Sequence, residues 1–174
     1  FSDHNYVNDS SFDIPNKDEL DNDANFVGIY VDGSEYNEIN NCDFFNDTSP
    51  GSGLPTSGIR CAPYSDHNNI LRCDFENLDR AIMIQSSQGI DIFGDSSYSN
   101  MKYCSYILYV EDTVDYAAKG RIKNYVIQTS SSSPVHIYGS KISAEKSRFE
   151  YHTLSGPHNA ETNEYGEWVE TTGW

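Results

Sequence analysis

The stretch Ser34-Glu35-Tyr36-Asn37-Glu38-Ile39-Asn40-Asn41-Cys42-Asp43-Phe44-Phe45-Asn46 returns as Ser65-Asp66-His67-Asn68-Asn69-Ile70-Leu71-Arg72-Cys73-Asp74-Phe75-Glu76-Asn77. The shared pattern is S-[ED]-x-N-x-I-x-x-C-D-F-x-N, offset by 31 residues, with seven of 13 positions identical. That density makes coincidence a poor explanation, and a repeat of this length is the mark of stacked units. A shorter motif precedes each copy and continues beyond them: Gly28-Ile29-Tyr30-Val31, Gly58-Ile59-Arg60-Cys61, Ala81-Ile82-Met83-Ile84, Tyr106-Ile107-Leu108-Tyr109-Val110 and Pro134-Val135-His136-Ile137. Its lead apolar residues, Ile29, Ile59, Ile82, Ile107 and Val135, are spaced 30, 23, 25 and 28 apart.

A second apolar station follows each lead: Ile39, Ile70, Ile92, Val114 and Ile142. A third is read at Phe44, Phe75, Ile122 and Phe149. The segments are short, rich in Ile, Val, Phe and Tyr, and alternate with period two, so they read as strands. Gly, Asn, Asp and Ser between them read as turns. The best helical candidate, Thr113 to Lys123, contains Gly120 and reads better as a turn between strands. Three strands per coil describe a solenoid in which each coil buries its inward residues against the next. Equivalent residues then form ladders, with Ile39 under Ile70, Phe44 under Phe75 and Cys42 under Cys73. Asn41 and Asn46 fall near turns, where stacked amides would bond from coil to coil.

The run N-x-I-x-x-C-x-F-x-N followed by G-I-x-[VIC] resembles the right-handed parallel β-helix repeat of the pectin-lyase-like superfamily, over roughly residues 26–152. The resemblance implies an all-β, right-handed parallel β-helix of about five coils with polar terminal capping segments. Residues 1–25 are read as an acidic N-terminal cap or edge segment, 26–152 as the β-helix and 153–174 as a C-terminal cap or assembly tail with Trp168 and Trp174 packing down. The superfamily includes polysaccharide lyases and hydrolases, phage tailspikes, adhesins and archaeal surface or sheath proteins, so it does not choose a function. Five coils make a rod of only about 24 Å, short for an enzyme groove.

Composition narrows the field. With 11 Lys+Arg and 27 Asp+Glu the net charge is −16, the wrong sign for a nucleic-acid backbone partner. No apolar run approaches the length of a membrane span. Residues 1–48 hold 12 acidic side chains against Lys17 alone, whereas 99–150 hold seven basic and five acidic ones, so the two ends are expected to differ in potential and favour head-to-tail contacts. Acidity, few lysines and abundant Tyr, Asn and Ser favour a secreted or cell-surface setting. Four cysteines, Cys42, Cys61, Cys73 and Cys104, allow three pairings. Cys42 and Cys73, one coil apart, suit either a disulfide or a buried thiol ladder, and Cys61 and Cys104 are candidates for bonds to another copy. Sequons stand at Asn8 and Asn46.

Candidate chemistry is sparse. Lys119 and Arg121, with Lys123 and Arg148, are the basic cluster a lyase would use, and a solvated basic turn is the plainer account. Asp43 and Asp74 point outward one coil apart, the arrangement of a carboxylate pair in a hydrolase, although stacked aspartates are equally at home on a solvated β-helix face. Asp13, Asp18, Asp21 and Asp23 form an oxygen-rich stretch that would suit calcium; no cofactor is required. The direction of His136 is left open by the alternation around it. The expectation is therefore a non-enzymatic surface solenoid with a structural or adhesive role. Its partners are its own copies through coil edges, and a surface polysaccharide that outward tyrosines would contact. A carbohydrate-active lyase or hydrolase, or a fragment of one, is the alternative, and a trimeric tailspike fragment the third.

Overall fold

The computed structural model describes residues 4–14, 26–47, 55–95 and 99–172. Strands are numbered in chain order. The first face of the molecule stacks β3 (Val27–Val31), β6 (Ser57–Cys61), β9 (Arg80–Ile84), β12 (Tyr106–Glu111), β14 (Val135–Tyr138) and β16 (Ala160–Thr162), all in parallel. The second stacks β1 (Tyr6–Asn8), β4 (Glu38–Asn40), β7 (Asn69–Leu71), β10 (Ile90–Phe93), the first half of β13 (Lys119–Gln128), the first half of β15 (Ser147–Ser155) and β17 (Gly166–Glu170). The third stacks β2 (Ser11–Asp13), β5 (Asp43–Phe45), β8 (Asp74–Glu76), β11 (Asn100–Lys102) and the second half of β13. The chain is a parallel β-solenoid of about five coils, with no helix among the described residues.

Register defines three inward ladders. They are Ile29–Ile59–Ile82–Leu108–Val135 on the first face, Val7–Ile39–Ile70–Ile92–Ile122–Tyr151 on the second and Phe12–Phe44–Phe75–Met101–Ile127 on the third. Phe12, Phe44 and Phe75 stack with ring centroids 4.9 and 5.2 Å apart. Each fully buried Ile or Phe contributes about 1.5–3 kcal/mol by leaving water. The early coils match the sequence expectation, and the later ones correct it. Leu108, not Ile107, aligns with Ile82. Ile122 belongs to the second ladder rather than the third, and Phe149 pairs with Gly120 and Trp168. Val114 sits in a turn and Ile142 is 66% exposed. Long turns at 112–118 and 139–146 displace the count in those coils. The segment expected as a turn from Thr113 to Lys123 is a turn only as far as Ala118; Lys119–Lys123 are instead the start of β13.

Left-handed residues turn the corner between the second and third faces. Asp9, Asn41 and Arg72 have φ of 51°, 54° and 52°, and Asn124 and Thr153 hold the same region inside β13 and β15. Short polar side chains tolerate this region best. Polar ladders run through the other corners. Asn37 Nδ2 donates to Asn68 Oδ1 at 2.8 Å, its main-chain amide donates to the same oxygen at 2.7 Å, and Asn5 Nδ2 donates to Asn37 Oδ1 at 2.9 Å. The amide ladder thus falls on Asn5, Asn37 and Asn68. Asn41 instead donates to Asp9, and Asn46 accepts through its carbonyl from Asn77.

Packing is complementary from coil to coil. A Cβ on Gly58 would lie 2.8 Å from Phe75 and 2.8 Å from the Ala81 carbonyl, and Gly28 stands in the same relation to Phe44. One coil on, the same stations hold Ala81 and Met101; in the next they hold Ile107 and Ile127. The residue on one wall grows as its counterpart shrinks, which keeps the interior close-packed.

Candidate functional site

On the first face the outward positions read Tyr30, Arg60, Met83, Tyr109, His136 and Glu161. From Arg80 to Glu161 the side chains around them form a column. The Arg80 guanidinium lies 4.0 Å from the Tyr109 ring centroid, Tyr109 stacks on His136 at 4.3 Å, and His136 stacks on Tyr138 at 4.0 Å. Tyr106 meets both Tyr109 and His136 edge-on, and the Tyr138 hydroxyl donates to Glu161 at 2.8 Å. His136 therefore points outward. Burial holds its imidazole below the usual range, with Arg80 acting the same way, while Glu161 and Glu111 oppose. Its Nδ1 is buried without a hydrogen-bond partner. The facing ring surfaces of Tyr109, His136 and Tyr138 are covered by one another, whereas Tyr30 remains 54% exposed. Sequence reasoning did not find this column, because its members come from different strands; the only hint was the recurrence of an aromatic residue at Tyr109 and His136.

The second face carries the basic candidates in a groove of about 410 Å³ lined by His67, Asp91, Lys119, Arg121, Arg148 and Glu150 together with Gly89 and Gly120. Gly89 has φ of 67° where the preceding coils have His4, Tyr36 and His67, and a Cβ there would meet the His67 ring at 2.5 Å. The exposed aromatic stack His4–Tyr36–His67 thus ends at this groove. Each cation in it is engaged. Lys119 pairs with Glu145, and Arg121 Nε donates to Asp91 at 2.7 Å. Arg148 bridges Glu150 and Glu167 at 3.1 and 3.3 Å. Lys119 and Arg148 are register partners, as are Arg121 and Glu150.

The third face brings Asp43 and Asp74 together as direct register partners on β5 and β8. With Glu76, Asn100 and Lys102 they line a cavity of about 240 Å³. Burial pushes the Asp74 carboxyl above the usual 3.8, and the Asp43 charge acts in the same direction. The Asn100 amide, which donates to Asp74 Oδ1 at 2.5 Å, and Lys102 act against it.

Cys42, Cys61, Cys73 and Cys104 are all free and buried, so the structure holds the thiol ladder and not the Cys42–Cys73 disulfide, and it buries Cys61 and Cys104 away from any neighbour. Cys42 Sγ and Cys73 Sγ each donate at 3.3 Å to the carbonyl two residues back, of Asn40 and Leu71. Burial pushes the Cys61, Cys73 and Cys104 thiols up to about 12. Of the calcium candidates, Asp13 is an exposed residue of β2, and Asp18, Asp21 and Asp23 lie outside the described residues. No group of three metal-ligating side chains is found among the described residues. Asn8 is exposed at the end of β1, and Asn46 is buried.

The end coils also differ from the charge expectation. Segment 99–150 forms inner coils, whereas Glu161, Glu164, Glu167 and Glu170 lie in and around β16 and β17, at the end of the stack. Both ends are therefore acidic. No protein-family model matches the chain, and no curated protein or solved structure is found similar to it. No helix of the described residues is long and apolar enough to cross a membrane.

Proposed function

We propose that the chain is a non-enzymatic structural solenoid of a cell surface, with a structural or adhesive role. One observation carries this: the cations and the histidine that could act on a substrate on the first and second faces are spent on the solenoid itself. Arg80, Tyr109, His136 and Tyr138 form a closed column, and Lys119, Arg121 and Arg148 form an ion-pair ladder. Among the described residues, the apolar side chains of the end coils are less covered. Val7, Phe12, Phe26 and Ile29 at one end, and Tyr151, Leu154, Ala160 and Trp168 at the other, are only partly buried against the core. Such apolar ends support association through coil edges. Like charge at both ends opposes it, so self-association is expected to need salt or a divalent cation.

A hydrolase is the second reading, and Asp74 favours it: a carboxyl raised by burial beside a second carboxyl is the pattern of an acid–base pair. One experiment separates the two. Neutral and acidic polysaccharides are incubated with the protein and with Asp74→Asn, and new reducing ends and unsaturated uronate products are followed. The structural assignment expects no turnover by either. Turnover abolished by Asp74→Asn would establish the hydrolase and end the structural assignment.

A further inference from the structure

The His136 imidazole is held between two phenol rings, Tyr109 at 4.3 Å and Tyr138 at 4.0 Å. Two rings cannot stack on one face of an imidazole, so they hold opposite faces. Tyr106 closes an edge at 5.8 Å. The enclosed Nδ1 has no hydrogen-bond partner among the described residues. A buried ring nitrogen is tolerable there while it carries only a lone pair. Once protonated it is an orphan N–H, and buried orphan donors are costly. The charges and titratable groups around the ring come from four strands. Arg80 on β9 lies 4.0 Å over the Tyr109 ring, on the face that His136 leaves free, so an imidazolium would meet that guanidinium across a single phenol. Tyr106, Tyr109 and Glu111 stand on β12, Tyr138 on β14 itself and Glu161 on β16. Glu161 and Glu111 favour a charged ring; enclosure and Arg80 oppose it, and enclosure is the larger effect.

We infer that this column is an acid-operated clasp: protonation of His136 drives its ring out from between Tyr109 and Tyr138, toward solvent and Glu161, and uncovers the two phenol faces that it occupies at neutral pH. The parts are in place. His136 stands on an outward position of β14, so its ring can leave by side-chain rotation with the main chain unmoved. Glu161 is its register partner on β16. That carboxylate accepts from the Tyr138 hydroxyl at 2.8 Å, so an imidazolium that takes it also releases Tyr138. Above the ordinary imidazole value of 6.5 the held and the released ring are both neutral, and stacking keeps the column closed. As pH falls through that value the released ring takes up a proton that the held ring refuses, and the balance moves to the open column. The clasp is independent of whether the solenoid is structural or hydrolytic.

The test is a titration of the whole chain between about pH 7.5 and 5, above the ordinary carboxylate range, followed by NMR of the imidazole and tyrosine ring protons. His136 is identified by the signals lost in His136→Gln. Its midpoint is expected below 6.5, and the ring protons of Tyr109 and Tyr138 are expected to move with the same midpoint toward the shifts of exposed tyrosine. Arg80→Gln should raise that midpoint and Glu161→Gln lower it, by about half a pH unit each. In His136→Gln, whose side chain takes no proton, the tyrosine shifts should stay flat. A midpoint at or above 6.5 overturns the inference, as does a His136 titration that leaves Tyr109 and Tyr138 stationary. Tyrosine movement that persists in His136→Gln overturns it too, because the change would then come from carboxylates or from loss of the whole fold.

Discussion

Gly58→Ala is the sharpest probe of how the coils are packed. The new methyl would stand 2.8 Å from Phe75 Cδ1 and 2.8 Å from the Ala81 carbonyl oxygen, in a fully buried site. Overpacking of this kind costs about 1–3 kcal/mol, and the stiffer unfolded chain returns about 0.4–1 kcal/mol. The net loss is about 1–2 kcal/mol. With a urea slope of about 2 kcal/mol per M, the unfolding midpoint by circular dichroism falls by about 0.5–1 M. Phe75→Met alone reproduces the residue of the next coil, Met101, and as a near volume-conserving swap costs about 1 kcal/mol. Combined, the two should lose less than their sum, because the Ala81/Met101 coil shows the pair fitting together. The contact with the Ala81 carbonyl persists, so recovery is partial, and a coupling of at least about 0.5 kcal/mol is expected. Additivity within about 0.3 kcal/mol, or a neutral Gly58→Ala, would refute the complementary-wall argument.

Asn68→Ala removes the oxygen that accepts from the Asn37 amide and side chain; the buried orphan amide makes a loss of about 2–3 kcal/mol in urea titration the expected outcome, and a loss under 1 kcal/mol would show that water replaces it. Asp74→Asn is expected to stabilise at pH 7 by less than about 1 kcal/mol. A carboxyl raised in the folded state favours folding below its unfolded value of 3.8 and loses that advantage as pH rises. The gain should therefore vanish in melts below about pH 4; destabilisation at pH 7 would mean the charge is needed. A thiol reagent at pH 8 should find no reactive cysteine in the folded chain and all four after unfolding. Folded thiols raised from 9.0 to about 12 retain protons that the unfolded chain releases, so stability should fall as pH rises above 9.0. Rapid labelling of the native protein would contradict the buried ladder.

The first coils were legible because their repeat is nearly literal. Ile39 over Ile70, Phe44 over Phe75 and Asp43 over Asp74 follow from one offset. The later coils were not, because a solenoid fixes the height of a coil and not its length. Turns of different length at 112–118 and 139–146 moved Ile122 and Phe149 to other stations. Alternation fails in places, as where consecutive residues Gly58 and Ile59 are both buried; in β14 it holds, with Val135 and Ile137 inward and His136 outward. The cation–π column was invisible for a related reason. Arg80, Tyr109 and Tyr138 share no motif, and only the register of β9, β12 and β14 puts them in line. The cysteines illustrate the limit of spacing: two residues one coil apart suit a disulfide or a ladder equally, and the choice lies in side-chain direction.

The placement of charge bears on which part of the molecule meets other molecules. An outer face whose cations are matched by carboxylates from the same or the neighbouring strand, as Arg121 is by Asp91 and Arg148 by Glu150 and Glu167, has little field to offer a charged ligand. An end coil has the opposite character. Among the described residues its apolar side chains, such as Val7, Phe12, Ile29 and Trp168, are only partly buried, and its carboxylates outnumber its cations. An approaching strand there gains hydrogen bonds, apolar burial and, if basic, electrostatic attraction together. Another acidic end coil gains the first two and is repelled by the third. Raising ionic strength weakens that repulsion and leaves apolar burial intact. Salt should therefore favour association between copies of the chain at the coil ends. Light scattering across a salt series reads that association directly; association that weakens with salt would mean the ends attract through charges the structure does not place there.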